Sequence, residues 1–416
     1  MKLTLRKIVV LLLAAAIMMA TMTVSFAADP KVVKIAFTDP PTLNIGDMTI
    51  YHPSYAAMLA FKGSFEKYTS GRYVVELYPY GQLGDAASNL EQMLSGTLQG
   101  GTPADGALAP FYKNIQVFSI PYLFDSALTA YDVLDGEFGQ KLFEDMAKTS
   151  RLRVIASYDN GGYRNFTNSK KPIKTADDMK GLKIRTMDIP VHMEIVKALG
   201  ASPTPIAFME LYSALQTKVV DGQENSAITM LGASLQEVQP YATLDGHLLG
   251  LAFLTISEDW FQSLSKEDQE ACLKAGREAS FAARGTVRYA ESFAIDTLRA
   301  KGVEVYSPTA EEMETFKIAQ APAIKWLKDN IDANLVDELL ALVESGKVGT
   351  GVPPAATKTA ETAAPAQPGT SATPAPSSQA PSGNNQTTGS NNTVLYIVIG
   401  VVVVLIAAFA LTRKKK

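Results

Sequence analysis

The feature that most restricts the fold of this chain is the tract between residues 351 and 392, which consists almost entirely of Pro, Ala, Ser, Thr, Gly, Gln and Asn. Such a segment has no apolar periodicity and buries too little surface to form a core. We therefore predict a disordered linker over 351–392. The working part of the chain must then lie before it, within residues 28–350.

The first 27 residues have the pattern of a secretory signal peptide. The basic residues Lys2, Arg6 and Lys7 precede an apolar run, and small residues around Ala27 fit a cleavage site. We predict cleavage after Ala27, with an uncleaved N-terminal anchor as the alternative. Either outcome predicts that the body of the protein is exported.

The segment after the linker has the pattern of a transmembrane helix, predicted over 393–412. Residues 393–411 carry no charged side chain, and a helix of that length would extend about 28 Å, close to the thickness of a hydrocarbon core. The basic tail at 413–416 is expected to stay cytoplasmic. The sequence thus predicts an extracytoplasmic body, in the periplasm or at the cell surface, anchored to the membrane.

The charge of the body restricts its partners. The chain has 38 basic and 42 acidic residues, and seven of the basic ones lie in the two terminal segments, so residues 28–392 have 31 basic and 42 acidic residues, a net charge of −11. An acidic body argues against nucleic-acid binding. The single Cys and three His residues exclude an internal disulfide and a His-rich metal cage. No cofactor motif is present, and we predict no cofactor.

Strand and helix patterns alternate along the body, which is typical of an α/β sheet domain. Residues 31–37 and 73–78 have the composition of strands. No proline interrupts residues 266–302, which predicts one very long helix or two helices with a kink near Gly285. Ser307 and Pro308 predict the start of another helix.

Four runs of residues follow one another at a specific spacing: DMKGLKIR at 178–185, GASPTP at 200–205, FMELYSALQT at 208–217 and VDGQEN at 220–225. Three further runs are PYGQLG at 79–84, IPYLF at 120–124 and WFQSLS at 260–265. In this order they resemble the solute-binding proteins of TRAP transporters, the tripartite ATP-independent periplasmic family. The resemblance covers roughly residues 31–345.

The resemblance implies an α/β fold of the two-lobe periplasmic-binding-protein type, with a long helix backing both lobes and the ligand in the cleft between them. The chain would capture a small organic acid and deliver it to the membrane subunits of a TRAP permease, and it would not be an enzyme. C4-dicarboxylates, uronates, other sugar acids and short carboxylates all stay open as solutes.

Arg185 matches the position of the family's carboxylate-binding arginine. It lies where a predicted strand ends, and strand ends line ligand crevices in α/β sheets. A guanidinium matches a carboxylate with two parallel hydrogen bonds. Arg164 resembles a second cationic position of family members that bind sugar acids and dicarboxylates, and its alternative role is a salt bridge that stabilises a lobe.

Asn225 and Glu224 lie where some family members carry Trp and use the neighbouring Glu with a metal. Because this chain has Asn at that place, we predict direct ligand binding by Asn225 and Glu224 without a metal. Phe208 could lie against the carbon skeleton of the ligand, or it could pack in the core at the start of a helix.

The first-lobe side of the cleft departs from the family pattern. Many relatives carry an acidic and then a basic residue near positions 86 and 87, whereas this chain has Asp85 followed by two alanines. Either Asp85 replaces that polar contact or the contact is missing. The segment 39–51 is long and is expected to line the first-lobe wall.

Two alternatives to transport remain at this stage. A sensory binding protein that presents its ligand to a membrane receptor would have the same fold. An extracellular hydrolase or lyase acting on sugar acids belongs to another class, although no nucleophile motif supports catalysis.

Overall fold

The computed structural model describes residues 29–346. The segments predicted as signal peptide (1–27), linker (351–392), transmembrane helix (393–412) and basic tail (413–416) lie outside the described residues. Between residues 29 and 346, no helix combines the length and the apolar character that a membrane span requires.

Strands and helices alternate along the described chain, as the sequence predicts. The strands are β1 (Lys31–Ala36), β2 (Thr42–Ile45), β3 (Met48–Tyr51), β4 (Tyr73–Tyr78), β5 (Gly100–Gly101), β6 (Leu152–Asn168), β7 (Lys183–Thr186), β8 (Ser202–Pro205), β9 (Gly222–Asn225), β10 (Tyr241–Ser257) and β11 (Glu304–Tyr306). The helices are α1 (Pro53–Tyr68), α2 (Ala86–Leu94), α3 (Asp105–Leu108), α4 (Ala127–Asp135), α5 (Glu137–Ser150), α6 (Pro190–Ala198), α7 (Leu211–Gln216), α8 (Ala227–Gly232), α9 (Glu258–Gln262), α10 (Lys266–Ala300), α11 (Ala310–Gln320), α12 (Pro322–Asn330) and α13 (Ala333–Glu344). Short 3₁₀ helices cover Lys113–Ser119, Ala176–Met179, Phe208–Glu210 and Leu235–Glu237.

Nine strands form one mixed sheet in the order β4-β1-β5-β10-β6-β9-β7-β8, with β11 paired to β10. β4, β1 and β5 are parallel to one another, as are β8, β7 and β9. The two long strands β6 and β10 are antiparallel and run through the middle of the sheet. We call the β4-β1-β5 side the first lobe and the β9-β7-β8 side the second lobe.

Successive residues of the central strands point to opposite faces of the sheet and fill two different cores. In β10, Leu251 and Phe253 belong to one hydrophobic cluster, whereas Ala252 and Leu254 belong to the other. A strand that is buried on both faces reads as a continuous apolar run rather than an alternating one. This explains the nearly unbroken hydrophobic sequence of residues 248–256.

The long helix α10 backs both lobes. Its 35 residues are continuous through Gly285, so the predicted single helix is correct and the alternative of two kinked helices is wrong. Cys272 and Ala279 pack in the first-lobe core, and Val287 and Leu298 pack in a second-lobe core with α7 and α8. The side chains of its buried face recur at helical spacing and many are alanine, which allows a close approach to the sheet.

β6 bends where it crosses from one lobe to the other. Gly161 and Gly162 have φ values of +99° and +91°, a conformation that favours glycine. The pairing register with β10 shifts at the same place, between Leu249 and Leu251. The bend lies between Asn160 and the part of β6 from Asn165 onward that pairs with β9 of the second lobe.

Two predictions are wrong in detail. Ser307 and Pro308 do not begin a helix, because α11 starts at Ala310 and its N-cap is Thr309, which forms a capping box with Glu312. The segment 39–51 does not line the first-lobe wall beyond Asp39. It folds into the β2–β3 hairpin, which packs its apolar side chains on the second-lobe core.

The close approach of α10 to the sheet yields a stability prediction. A Cβ atom at Gly276 would lie 2.4 Å from the main-chain oxygen of Ile155, so Gly276→Ala is expected to destabilise the protein by about 1–3 kcal/mol through overpacking. Gly285 lies in the same helix, is exposed, and has nothing within 4 Å of a Cβ atom. Gly285→Ala should therefore raise stability by about 0.5–1 kcal/mol. Denaturant unfolding checks both, and equal effects would contradict the packing described here.

Candidate functional site

A cavity of about 400 Å³ lies between the two lobes. Its charged lining residues are Asp39, Asp85, Arg164, Arg185 and Asp188. Its uncharged lining residues are Thr38, Ala86, Ala87, Thr102, Ala104, Gly106, Ala107, Asn160, Met187, Pro205, Ile206, Ala207, Phe208, Met209, Asn225 and Thr229. Mostly apolar walls with a few convergent polar groups are typical of small-molecule sites.

Arg185 is the one buried cation of this cavity wall that forms no ion pair among the described residues, although Glu224 acts on it electrostatically from a greater distance. It is 1% exposed, and its Nε and Nη2 atoms donate to the main-chain oxygen of Ile206 at 2.8 and 2.7 Å. Its Nη1 atom has no hydrogen-bond partner. Burial lowers the pKa of Arg185 to about 10, which leaves it charged at neutral pH. The Nη1 atom is thus a buried donor of the guanidinium that no described residue satisfies.

Arg164 pairs with Glu224 across β6 and β9. Its Nη2 atom donates to the main-chain oxygen and to Oε1 of Glu224, both at 2.8 Å, and its Nε atom donates to Oε2. The salt-bridge alternative given for Arg164 is therefore what the structure shows. Arg164 still lines the cavity, whereas Glu224 lies behind it and is not part of the cavity wall. Because both members of the ion pair are buried, the guanidinium of Arg164 is held in one place.

Two histidines complete the surroundings of Glu224. His247 Nε2 lies 3.5 Å from Glu224, its Nδ1 lies 2.8 Å from Asp245, and His192 Nδ1 lies 3.7 Å from Glu224. Burial opposes the charged form of His247, but the two carboxylates outweigh it and raise its pKa to about 9. Glu224 is likewise buried, yet Arg164 and the histidines hold its pKa well below the usual range. Glu224 and His247 thus form a charged pair that supports Arg164 from behind.

The other predicted residues lie on the cavity wall with roles that their sequence context did not reveal. Asn225 lines the cavity, and its Nδ2 atom donates to Oε1 of Gln223 at 3.0 Å. Phe208 lies on the wall and also packs against the second-lobe core, which is the packing alternative, while its contact with a ligand stays a prediction. Asp85 caps α2 by accepting from the main-chain nitrogen of Ser88 at 2.8 Å.

Sequence reasoning missed several polar residues of the wall, Thr102 and Asn160 among them, and it included Asp39 only as the first residue of the segment 39–51. Asp39 accepts a hydrogen bond from Ser54 at 2.6 Å and is 5% exposed. Thr102 follows the two-residue strand β5, which is too short to show a strand pattern in the sequence. Asn160 precedes the glycine pair of β6, and that pair was the available signal for a bend at the cleft. Among residues 29–346, no group of three or more Cys, His, Asp or Glu side chains is arranged to hold a metal ion.

Comparisons with known proteins agree with this architecture. The sequence pattern of the family described as bacterial extracellular solute-binding protein, family 7, matches residues 49–329. A solute-binding protein of Roseobacter denitrificans is 32% identical over 313 residues, which cover 74% of this chain and 92% of the relative.

Solved structures of similar proteins share the fold. The sugar acid binding protein DctPAm of Advenella mimigardefordensis, in complex with galactonate, superimposes with a TM-score of 0.71 at 29% identity and covers 76% of this chain and 99% of its own. A TRAP periplasmic solute binding protein of Polaromonas, bound to D-erythronate, has a TM-score of 0.69 at 32% identity and covers 75% and 98%. The chain therefore belongs to family 7 of the bacterial extracellular solute-binding proteins, which capture solutes for TRAP transporters.

Proposed function

We propose that this protein captures a small organic acid by binding its carboxylate to Arg185. The observation that carries the proposal is a fully buried guanidinium on the cavity wall that, within residues 29–346, forms no ion pair and has an Nη1 atom without a hydrogen-bond partner. A buried charge without a partner costs several kcal/mol, about 3–5 kcal/mol in measured cases. The carboxylate of a bound ligand removes that cost. Galactonate and D-erythronate, the ligands bound in the two similar structures, each have a carboxylate.

Ligand capture would close the two lobes by population shift. The cavity wall combines first-lobe residues such as Thr102 with second-lobe residues such as Arg185. A ligand that contacts both lobes binds the closed form more tightly than the open form, and this difference shifts the equilibrium. The backbone change would fall at the Gly161–Gly162 bend, where glycine permits conformations that other residues rarely adopt.

Calorimetry with pairs of ligands that share a carbon skeleton and differ only in the carboxylate tests the proposal. We expect D-galactonate or D-erythronate to bind the full-length chain, and the matched neutral polyols galactitol and erythritol to bind at least about 10²-fold more weakly, because they lack the charge that Arg185 requires. Equal binding of a polyol and its acid would remove Arg185 from the role of carboxylate receptor. No binding by either acid or by other C4–C6 organic acids would overturn the proposal itself.

We further propose that residues 393–412 anchor the binding protein to the membrane and that residues 351–392 tether it there. The support is the sequence pattern alone: an uncharged apolar stretch, a basic end and a linker without apolar periodicity. A tether would keep the body at a high local concentration beside its permease. Removal of residues 351–416 is expected to move the protein from the membrane fraction to the soluble fraction with ligand binding intact. Retention in the membrane fraction would contradict the anchor.

A further inference from the structure

The charges on the cavity wall are unequally distributed between the two lobes. Both cations, Arg164 and Arg185, belong to the second lobe, and Arg164 is already paired with Glu224. The first-lobe part of the wall has two carboxylates, Asp39 and Asp85, and no Lys or Arg among its lining residues. Arg185 is therefore the lining cation without an ion pair among the described residues, and two of the three lining carboxylates lie on the facing first-lobe wall, while Asp188 follows β7 in the second lobe.

The first-lobe carboxylates keep acceptor positions for a ligand. One oxygen of Asp39 accepts from Ser54 at 2.6 Å, and the other lies 3.9 Å from His52. Burial lowers the pKa of His52, which opposes the positive charge that would otherwise neutralise Asp39. In Asp85, Oδ1 accepts a hydrogen bond from the main-chain nitrogen of Ser88. Oδ2 can accept a hydrogen bond from a ligand. An ionised carboxylate accepts hydrogen bonds and donates none.

A buried hydroxyl pair lies near Asp39. The side-chain oxygens of Thr102 and Tyr158 are neighbours, and neither makes a well-formed hydrogen bond within the described residues. Thr102 lines the cavity and is 6% exposed. Hydroxyl groups of a ligand can donate to Asp39 or Asp85 and exchange hydrogen bonds with Thr102. A ligand carboxylate at the same place has no hydrogen to donate to the acids.

We propose, on the basis of the function proposed above, that this cavity selects acids with a single carboxylate and a hydroxylated far end, and that Asp39 and Asp85 reject dicarboxylates. The carboxylate binds Arg185 in the second lobe, and the hydroxyl groups reach the first-lobe acids and Thr102. A second carboxylate on the ligand would lose its hydration and be repelled by Asp39 and Asp85. This repulsion is the source of the selectivity.

Two pairs of acids that differ only at the far end test the proposal. D-galactonate and galactarate have the same six-carbon skeleton, and D-erythronate and meso-tartrate have the same four-carbon skeleton, so two ligand lengths are covered. In calorimetric titrations of the full-length chain, we expect the monocarboxylate of at least one pair to bind at least about tenfold more tightly than its dicarboxylate. A preference for the monocarboxylate below about tenfold in every pair that binds would overturn the proposal.

Neutral replacements of the two acids assign the effect to residues. Asp39→Asn and Asp85→Asn keep the shape, and asparagine also serves as an N-cap at position 85. Each variant is expected to reduce the preference for the monocarboxylate at least about threefold, chiefly by improved dicarboxylate binding. Asp296→Asn removes the same charge at an exposed position of α10 and should leave the preference unchanged. An unchanged preference in both Asp39→Asn and Asp85→Asn would overturn their assigned role.

Failure of this proposal can be distinguished from failure of the proposed function. If dicarboxylates bind well and Arg185→Lys abolishes their binding, the carboxylate receptor stands and the charge selection is wrong. If no acid of either kind binds, or if binding is independent of Arg185, the proposed function is wrong as well.

Discussion

Replacing Arg185 by lysine is expected to weaken organic-acid binding by roughly 10²-fold or more, although the positive charge is kept. A lysine ammonium cannot form the two parallel hydrogen bonds that a guanidinium edge offers to a carboxylate. It also cannot reproduce the two bonds by which Nε and Nη2 hold the side chain to Ile206. Each hydrogen bond to a charged group contributes about 1.5–3 kcal/mol, and loss of one or two accounts for the expected decrease. Calorimetry with galactonate and erythronate measures it.

The matched control is Arg151→Lys. Arg151 forms an exposed ion pair with Asp259, and it is not part of the cavity wall. Its replacement should leave affinity unchanged. Thermal unfolding without ligand establishes that both variants are folded. A folded Arg185→Lys protein that binds the acids within twofold of the wild type would refute the carboxylate receptor.

Replacing Glu224 by glutamine is expected to destabilise the folded body by about 3–5 kcal/mol, the usual effect of removing one partner of a buried ion pair. Glu224 is 2% exposed, and its loss leaves Arg164 buried without a counter-charge. It also removes one of the two acids that face His247. Denaturant unfolding at neutral pH measures the change.

Glu267→Gln is the matched control because it makes the same substitution in an exposed pair. Glu267 is 77% exposed and lies 3.4 Å from Arg72, and exposed pairs contribute little to stability. The control should unfold like the wild type. If Glu224→Gln unfolds like this control, the cluster around Arg164 is not the support described above.

The same cluster gives stability a defined pH dependence. The pKa of His247 is raised from 6.5 to about 9 in the folded protein, so the stabilisation from its protonated form is complete below pH 6.5. It is lost as the pH rises through about 9. Glu224→Gln should show a smaller decrease over this interval, because one of the carboxylates that raise the pKa of His247 is gone.

The elements with long, regular patterns were predictable from the sequence. Strands β1 and β4 and the helix α10 have the predicted type and nearly the predicted bounds, because their apolar periodicity and caps are local. The strand β5 was not predictable. Its two glycines are strand only because β1 and β10 pair with them on either side, and that information is tertiary.

Part of the candidate site was likewise predictable from the sequence, and part was not. Arg185, Arg164, Asn225, Phe208 and Asp85 all lie on the cavity wall, and their positions had been inferred from a family resemblance. Sequence could not reveal which arginine has an acidic partner, because the answer depends on the pairing register between strands far apart in the chain. In that register Phe166 pairs with Glu224, and this brings Arg164 rather than Arg185 into the ion pair with Glu224.

The β2–β3 hairpin affects how far the two lobes can separate. The chain enters it from β1 and leaves it into α1, both in the first lobe, yet Leu43 and Ile45 are buried in the second-lobe core. The turn of the hairpin is also fixed to the long helix, because the main-chain nitrogen of Gly46 donates a hydrogen bond to Thr297 of α10 at 2.8 Å. The hairpin is thus a strap between the lobes in addition to the crossing strands and the long helix. Because it resists their separation, it should limit the width of the entrance through which a solute reaches Arg185.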